Sequence, residues 1–108
     1  MCSGDPGIFA IGSIVYEILD NEDGESDIDI KMTPGISAFQ AASAKVGAPF
    51  GNDFCIISLS NLLTPENVIL DRIHAALKGD FVLGIYNPTS SKRKYFFKIV
   101  LDHICLLY

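Results

Sequence analysis

Two short, nearly unbroken apolar runs, FCIISLS over residues 54–60 and FVLGIY over 81–86, lie on either side of one amphipathic stretch. No other feature limits the fold as much. An apolar run of this length bounded by turn residues fits a strand covered on both faces. Between the runs, Thr64-Pro65 reads as an N-cap followed by proline at the first helical position. Val68, Ile69, Ile73, Ala76 and Leu77 then recur at helical spacing, and Gly79 closes the element. Two strands joined through a helix pair in parallel, since the crossover returns the chain to the end where it began. NPTSS (87–91) is a turn, and KRKYFFKIVLDHICLLY (92–108) reads as a last helix. The second half of the chain is thus a βαβα unit.

The first half has a different rhythm. Ile8, Ile11, Ile14, Val15, Ile18 and Leu19 place GIFAIGSIVYEIL (7–19) on an amphipathic helix. DNEDGESD (20–27) is an acidic loop, and DIDIKM (27–32) alternates, with Ile28, Ile30 and Met32 on one face, as a short strand does. TPG ends it, and ISAFQAASAKVG (36–47) is an alanine-rich helix. The pattern shifts across APFGND (48–53), which divides the chain into segments 1–49 and 50–108 of an α/β protein.

About half of the 108 residues are hydrophobic (49%) and only 19% are charged, with a mean hydropathy of +0.33. A complete domain of this size needs more polar surface, so some apolar faces are expected to meet neighbours, in an oligomer or in a larger protein. A membrane span is excluded by run length. The longest apolar stretch, FFKIVLDHICLLY, is interrupted by Lys98, Asp102 and His103, well short of the roughly 18 residues a spanning helix needs. No basic region followed by an apolar one opens the chain, so a cytoplasmic location is expected. The formal net charge of −5 speaks against nucleic-acid partners. Cys2, Cys55 and Cys105 match no metal-site spacing, and no metal is expected. Cys55 and Cys105 read as small buried apolar residues, and His74 and His103 as structural or solvated histidines.

Three loops could carry chemistry: SGDPG (3–7), TPGISA (33–38) and YNPTSSKRK (86–94). Each lies where a helix is expected to begin, and the second and third follow expected strands. Ligands of open α/β folds bind at such places, outside the carboxyl ends of strands and near helix N-termini. Asp5, Ser37 and Asn87 could orient polar ligand atoms, although on physics alone ordinary turns and caps are the plainer reading. No GxGxxG, Walker loop, GxSxG elbow or HExxH is present, and no catalytic residue can be named. Lys92, Arg93 and Lys94 are less routine. If Ser90 or Ser91 caps the last helix, three cations crowd its first turn, where the helix dipole disfavours them. A solvated face is the plainer account, and an anionic ligand the sharper one.

SGDPGIFAIGSIVYEIL, TPGISAFQAASAKVGAPFGNDFCIISLSNLLTPENVI and DFVLGIYNPTSSKR, in this order, resemble the tetrapyrrole methylase family. The resemblance covers roughly residues 3–100, and its most specific part is the long middle stretch. Within the family it is closest to the cobalamin-pathway enzymes that methylate precorrin-3B or cobalt-factor III at C-17. It implies a partial family fold, the end of an N-terminal α/β domain (1–49) plus the start of a C-terminal one (50–108). Earlier strands of the family's first domain, with a GxGPG-type loop, have no counterpart, so a central fragment is expected.

The resemblance further implies S-adenosylmethionine bound in a cleft between two domains. Its contacts fall on Ser3, Gly4, Asp5 and Ile8, on Ser37 and Ala38, and on Asn87. The implied reaction is methyl transfer to a macrocycle carbon with ring contraction. The implied substrate is a carboxylate-rich tetrapyrrole, for which Lys92, Arg93 and Lys94 are candidate counter-charges. A homo-oligomer, most simply a dimer, is expected, with no membrane or nucleic-acid partner. The fragment is expected to be inactive by itself. The alternative is a non-catalytic module that binds cofactor or self-associates. A different nucleotide-binding domain would need a phosphate-cradling glycine loop, which the sequence lacks.

Overall fold

The computed structural model describes residues 3–21 and 28–107. Its contacts divide the chain into two compact units, Met1–Gly47 and Ala48–Tyr108.

The second unit carries the core. Strand β1 (Phe54–Ser58) and strand β2 (Val82–Tyr86) pair in parallel, with Phe54 opposite Val82 and Ser58 opposite Tyr86. The crossover helix α3 (Glu66–Lys78) packs on β1 and on the last helix, α4 (Phe96–Leu107). Ile57 and Leu59 from the first strand region, Ile69, Ile73 and Ala76 from α3, and Phe96 and Val100 from α4 form one buried cluster. Each large side chain in it contributes on the order of 2 kcal/mol by leaving water. The parallel crossover therefore follows the sequence pattern. Both strands are only half-buried along most of their length, because each has a single neighbour among the described residues.

Several boundaries differ from the sequence reading. Helix α3 starts at Glu66, so Pro65 occupies the N-cap and no side chain caps it. At its other end Gly79 has φ −86° and Asp80 takes the left-handed conformation instead, at φ 56°. Helix α4 begins at Phe96, not at Lys92. Ser90 and Arg93 exchange backbone hydrogen bonds (3.1 and 3.5 Å) and close a tight turn there, so neither Ser90 nor Ser91 caps the helix. Lys92, Arg93 and Lys94 accordingly lie in the connection before α4, free of the unfavourable dipole that a first-turn position would impose. Cys55 is half-buried and Cys105 exposed, against the expectation of two buried thiols. Cys105 lies on the side of α4 turned away from Phe96 and Val100. His74 is exposed and His103 half-buried, with their rings 5.5 Å apart.

Among its described residues the first unit holds two helices, α1 (Gly12–Asn21) and α2 (Ala38–Lys45). The helix expected from residue 7 starts five residues later. Phe9 takes a left-handed φ of 47°, and Gly12 N–H donates to Pro6 O at 2.8 Å, so residues 6–11 form a compact loop whose isoleucine spacing only imitates a helix. Gly12 is buried where this loop meets Met32, and a Cβ there would lie 2.5 Å from Pro6 O and 2.6 Å from Met32 Sδ. Residues 28–32 form no strand, because a ladder needs a partner and the first unit contains no other strand among the described residues. Ile30 instead accepts a hydrogen bond from the Tyr16 hydroxyl (3.2 Å). The expected acidic loop falls mostly on 22–27, outside the described residues, as does Cys2. Among the described residues no helix is long and apolar enough to cross a membrane.

Candidate functional site

In the first unit, two of the loops singled out from sequence meet. The Asp5 carboxylate joins them: Oδ1 accepts from Gly7 N–H at 2.8 Å and Oδ2 from Gly35 N–H at 3.0 Å. One bond folds the SGDPG turn on itself and the other ties it to TPGISA, thirty residues on. Backbone meets backbone at this junction. A Cβ on Gly35 would collide with Gly4 O and lie 3.0 Å from Gly4 C, while Gly4 itself needs φ 79°. Asp5 is thus a positioning residue, with both oxygens committed to amides.

Ser37 stands next to this junction as the N-cap of α2. Its N–H donates to Gln40 Oε1 at 2.8 Å, the reciprocal half of a capping box. The residue is only 2% exposed, and its Oγ faces the Gln40 backbone N–H as the other half of that box, without reaching a full hydrogen bond. Ser3, Gly4 and Ile8 lie on the exposed side of the turn, and Ala38 is the exposed first residue of α2. Ile8 N–H donates to Asp5 O at 3.3 Å, so the turn reaches Ile8 before the helix begins.

Asn87 belongs to the second unit. It follows β2 with φ 50°, a conformation asparagine tolerates better than most residues. Its Nδ2 donates to Ser58 Oγ at 3.0 Å, across the carboxyl ends of the two strands. Ser58 Oγ also accepts from Ser60 N–H at 3.2 Å, so one hydroxyl organises both loops. Beneath them lies Arg93, only 5% exposed. Its guanidinium donates to Leu59 O through one nitrogen and to Asn87 O, at 2.9 Å, through the other. A cationic run had suggested solvated charges, and Lys92 and Lys94 are exposed as such residues usually are. The middle cation instead clamps the strand-end loops together. Sequence reasoning missed Ser58 and the clamping role of Arg93. A serine ending an apolar strand and an arginine between lysines carry no pattern that would reveal a partner so far along the chain.

Two groups of the second unit are perturbed, Tyr95 before α4 and Cys55 toward the amino end of β1. The Tyr95 hydroxyl donates to Glu66 Oε1 at 3.0 Å, and that bond together with the Glu66 charge holds the phenol above its ordinary pKa. Burial pushes the Cys55 thiol up as well.

A parallel βαβ unit with polar loops gathered at its strand ends, and a helix behind a Gly-Asp-Pro-Gly turn, define an α/β protein. The chain belongs to the tetrapyrrole methylase family: the family model for Tetrapyrrole (Corrin/Porphyrin) Methylases matches residues 1–105. It is 50% identical over 92 residues to a probable cobalt-factor III C(17)-methyltransferase of Methanocaldococcus jannaschii, covering 85% of this chain and 36% of the relative. It is 43% identical over 93 residues to a precorrin-3B C(17)-methyltransferase of Sinorhizobium sp., covering 85% of this chain and 37% of that one. The crystal structure of the methyltransferase CobJ superposes with a TM-score of 0.92 at 40% identity, covering 99% of this chain and 45% of the other. The fold is therefore a partial tetrapyrrole methylase fold, and the chain spans little more than a third of the length of these two curated relatives.

Proposed function

We propose that the chain supplies part of the cofactor-binding surface of an S-adenosylmethionine-dependent methyltransferase that methylates a cobalamin-precursor tetrapyrrole at C-17, with ring contraction. The observation that carries this reading is the junction in the first unit. Asp5 holds two glycine turns together beside the buried Ser37 that opens α2. The glycines let the two turns pack backbone against backbone, which fixes the exposed Ser3, Gly4, Ile8 and Ala38 next to one another. Ser3, Gly4, Ile8, Ser37 and Ala38 would hold the cofactor in the first unit, with Asp5 fixing the loops; within the second unit, taken by itself, Asn87 is the candidate contact. When bound, the cofactor supplies a methyl group already activated on a sulfonium. What remains for the protein is chiefly alignment of that methyl with the attacking carbon, which suits a site of backbone and small polar groups without a catalytic triad. The chain by itself is inactive in this account, works in the cytoplasm, and pairs with a second copy.

Calorimetric titration with S-adenosylhomocysteine tests the reading. Saturable binding that is lost in Asp5→Ala and Ser37→Ala supports it, and a folded chain that binds nothing refutes it. A self-associating, non-catalytic module is the second reading. It is favoured by the adjacent Leu62 and Leu63, 87% and 98% exposed. Sedimentation velocity separates the two: association that cofactor neither needs nor changes, in a chain that fails the titration, establishes the second.

A further inference from the structure

The second unit contains a groove of about 470 Å³ at the carboxyl ends of β1 and β2. Its lining includes Asn61, Asn87, Thr89, Ser90, Lys92 and Arg93, with Leu62 as an apolar lip. No acidic side chain is among the lining residues, although the chain as a whole is acidic. Glu66 approaches this rim but is engaged by Asn61 Nδ2 (2.8 Å) and the Tyr95 hydroxyl (3.0 Å).

Arg93 is the unusual member. Its charge is almost wholly buried, and among the described residues no carboxylate lies within ion-pair distance of it. Its two partners, Leu59 O and Asn87 O, are neutral carbonyls. They occupy two of the five N–H donors a guanidinium offers. Carbonyl dipoles compensate a buried cation only in part, and an anion entering the groove would add a full opposite charge. Lys92 is exposed at the same groove, whereas Lys94 does not line it.

We propose that this groove is a carboxylate subsite. Arg93 supplies the buried counter-charge and Lys92 the exposed one, while Thr89 and Ser90 offer hydroxyl donors. The subsite rests on the methyltransferase reading only for the source of its ligand, which is a side-chain carboxylate of the tetrapyrrole or the methionine carboxylate of the cofactor. Leu62 then faces the apolar body of whichever molecule carries it.

The test is an NMR titration of the 15N-labelled chain at low ionic strength. The probes are propane-1,2,3-tricarboxylate, its neutral triamide and S-adenosylhomocysteine. Expected are saturable shifts at amides 60–62 and 87–93 with the tricarboxylate and none with the triamide. Lys92→Gln is expected to weaken the tricarboxylate about five-fold, the loss for one screened charge pair at contact, and Lys78→Gln to leave it unchanged. Equal shifts with the triamide, or a Lys92→Gln chain that binds as before, overturn the proposal. If S-adenosylhomocysteine displaces the tricarboxylate, the carboxylate is the cofactor's; if both bind together, it is the substrate's. A chain that binds tricarboxylate but no S-adenosylhomocysteine keeps the subsite and sinks the cofactor reading, and the converse result does the reverse.

Discussion

Replacing Arg93 should loosen both strand-end loops of the second unit, and the size of the effect follows from its two acceptors. Arg93→Met keeps most of the buried stem and removes the guanidinium, which separates hydrogen bonding from packing. Leu59 is fully buried, so its carbonyl loses its partner with no water to replace it, at about 1–3 kcal/mol. Asn87 is exposed, and water can take over at its carbonyl, so that loss is about 0.5–1 kcal/mol. The sum is about 3 kcal/mol, close to a hundred-fold change in a local opening equilibrium. The natural reporter is the Leu59 amide, which donates to Tyr86 O at 2.9 Å and extends the ladder past β1. Hydrogen exchange at that amide should accelerate by about two orders of magnitude in Arg93→Met. Arg93→Lys retains the charge and can reach one carbonyl, so it should fall between the two. Exchange in Arg93→Met within about two-fold of the parent would show that the guanidinium does not hold the loops.

Gly35→Ala should separate the two loops of the first unit, because the added methyl meets Gly4 O, and should abolish S-adenosylhomocysteine binding in calorimetry. Gly51→Ala, where a Cβ meets nothing within 4 Å, should leave binding intact. The raised pKa of Cys55 leaves it with less thiolate than an ordinary cysteine at any given pH, so iodoacetamide should label it more slowly than exposed Cys105. Peptide mapping that finds equal rates around pH 8 contradicts the burial argument. Glu66→Gln removes the charge that opposes Tyr95 ionisation, so the Tyr95 phenol should titrate at lower pH, toward its ordinary value, in an ultraviolet pH titration. An unchanged titration contradicts the assignment.

The second unit was largely legible in the sequence because its signals are local and mutually consistent. Apolar runs at 54–60 and 81–86, the stripe on α3 and the turn at 87–91 each specify one element, and together they permit only a crossover. The first unit was harder to read for two physical reasons. Ile8 and Ile11 carry helical spacing, but Phe9 in the left-handed region and the Gly12–Pro6 bond keep those residues in a loop. Ile28, Ile30 and Met32 alternate like a strand, yet alternation describes faces and cannot supply a ladder partner. In the candidate site, the loops were visible as glycine and proline turns, whereas the bonds that organise them were not. Asp5 finds Gly35 thirty residues away and Arg93 finds Leu59 thirty-four residues away. Composition gives Arg93 the same reading as its lysine neighbours, and only the fold separates the buried cation from the two solvated ones.

The central claim is that these loops still form a cofactor surface, and amide shift mapping with S-adenosylhomocysteine tests it most directly. The account predicts saturable shifts that cluster at residues 4–8 and 35–38 and are lost together in Asp5→Ala. Shifts confined to other surfaces, or no shifts in a chain whose α3 and β2 amides remain protected, would contradict it.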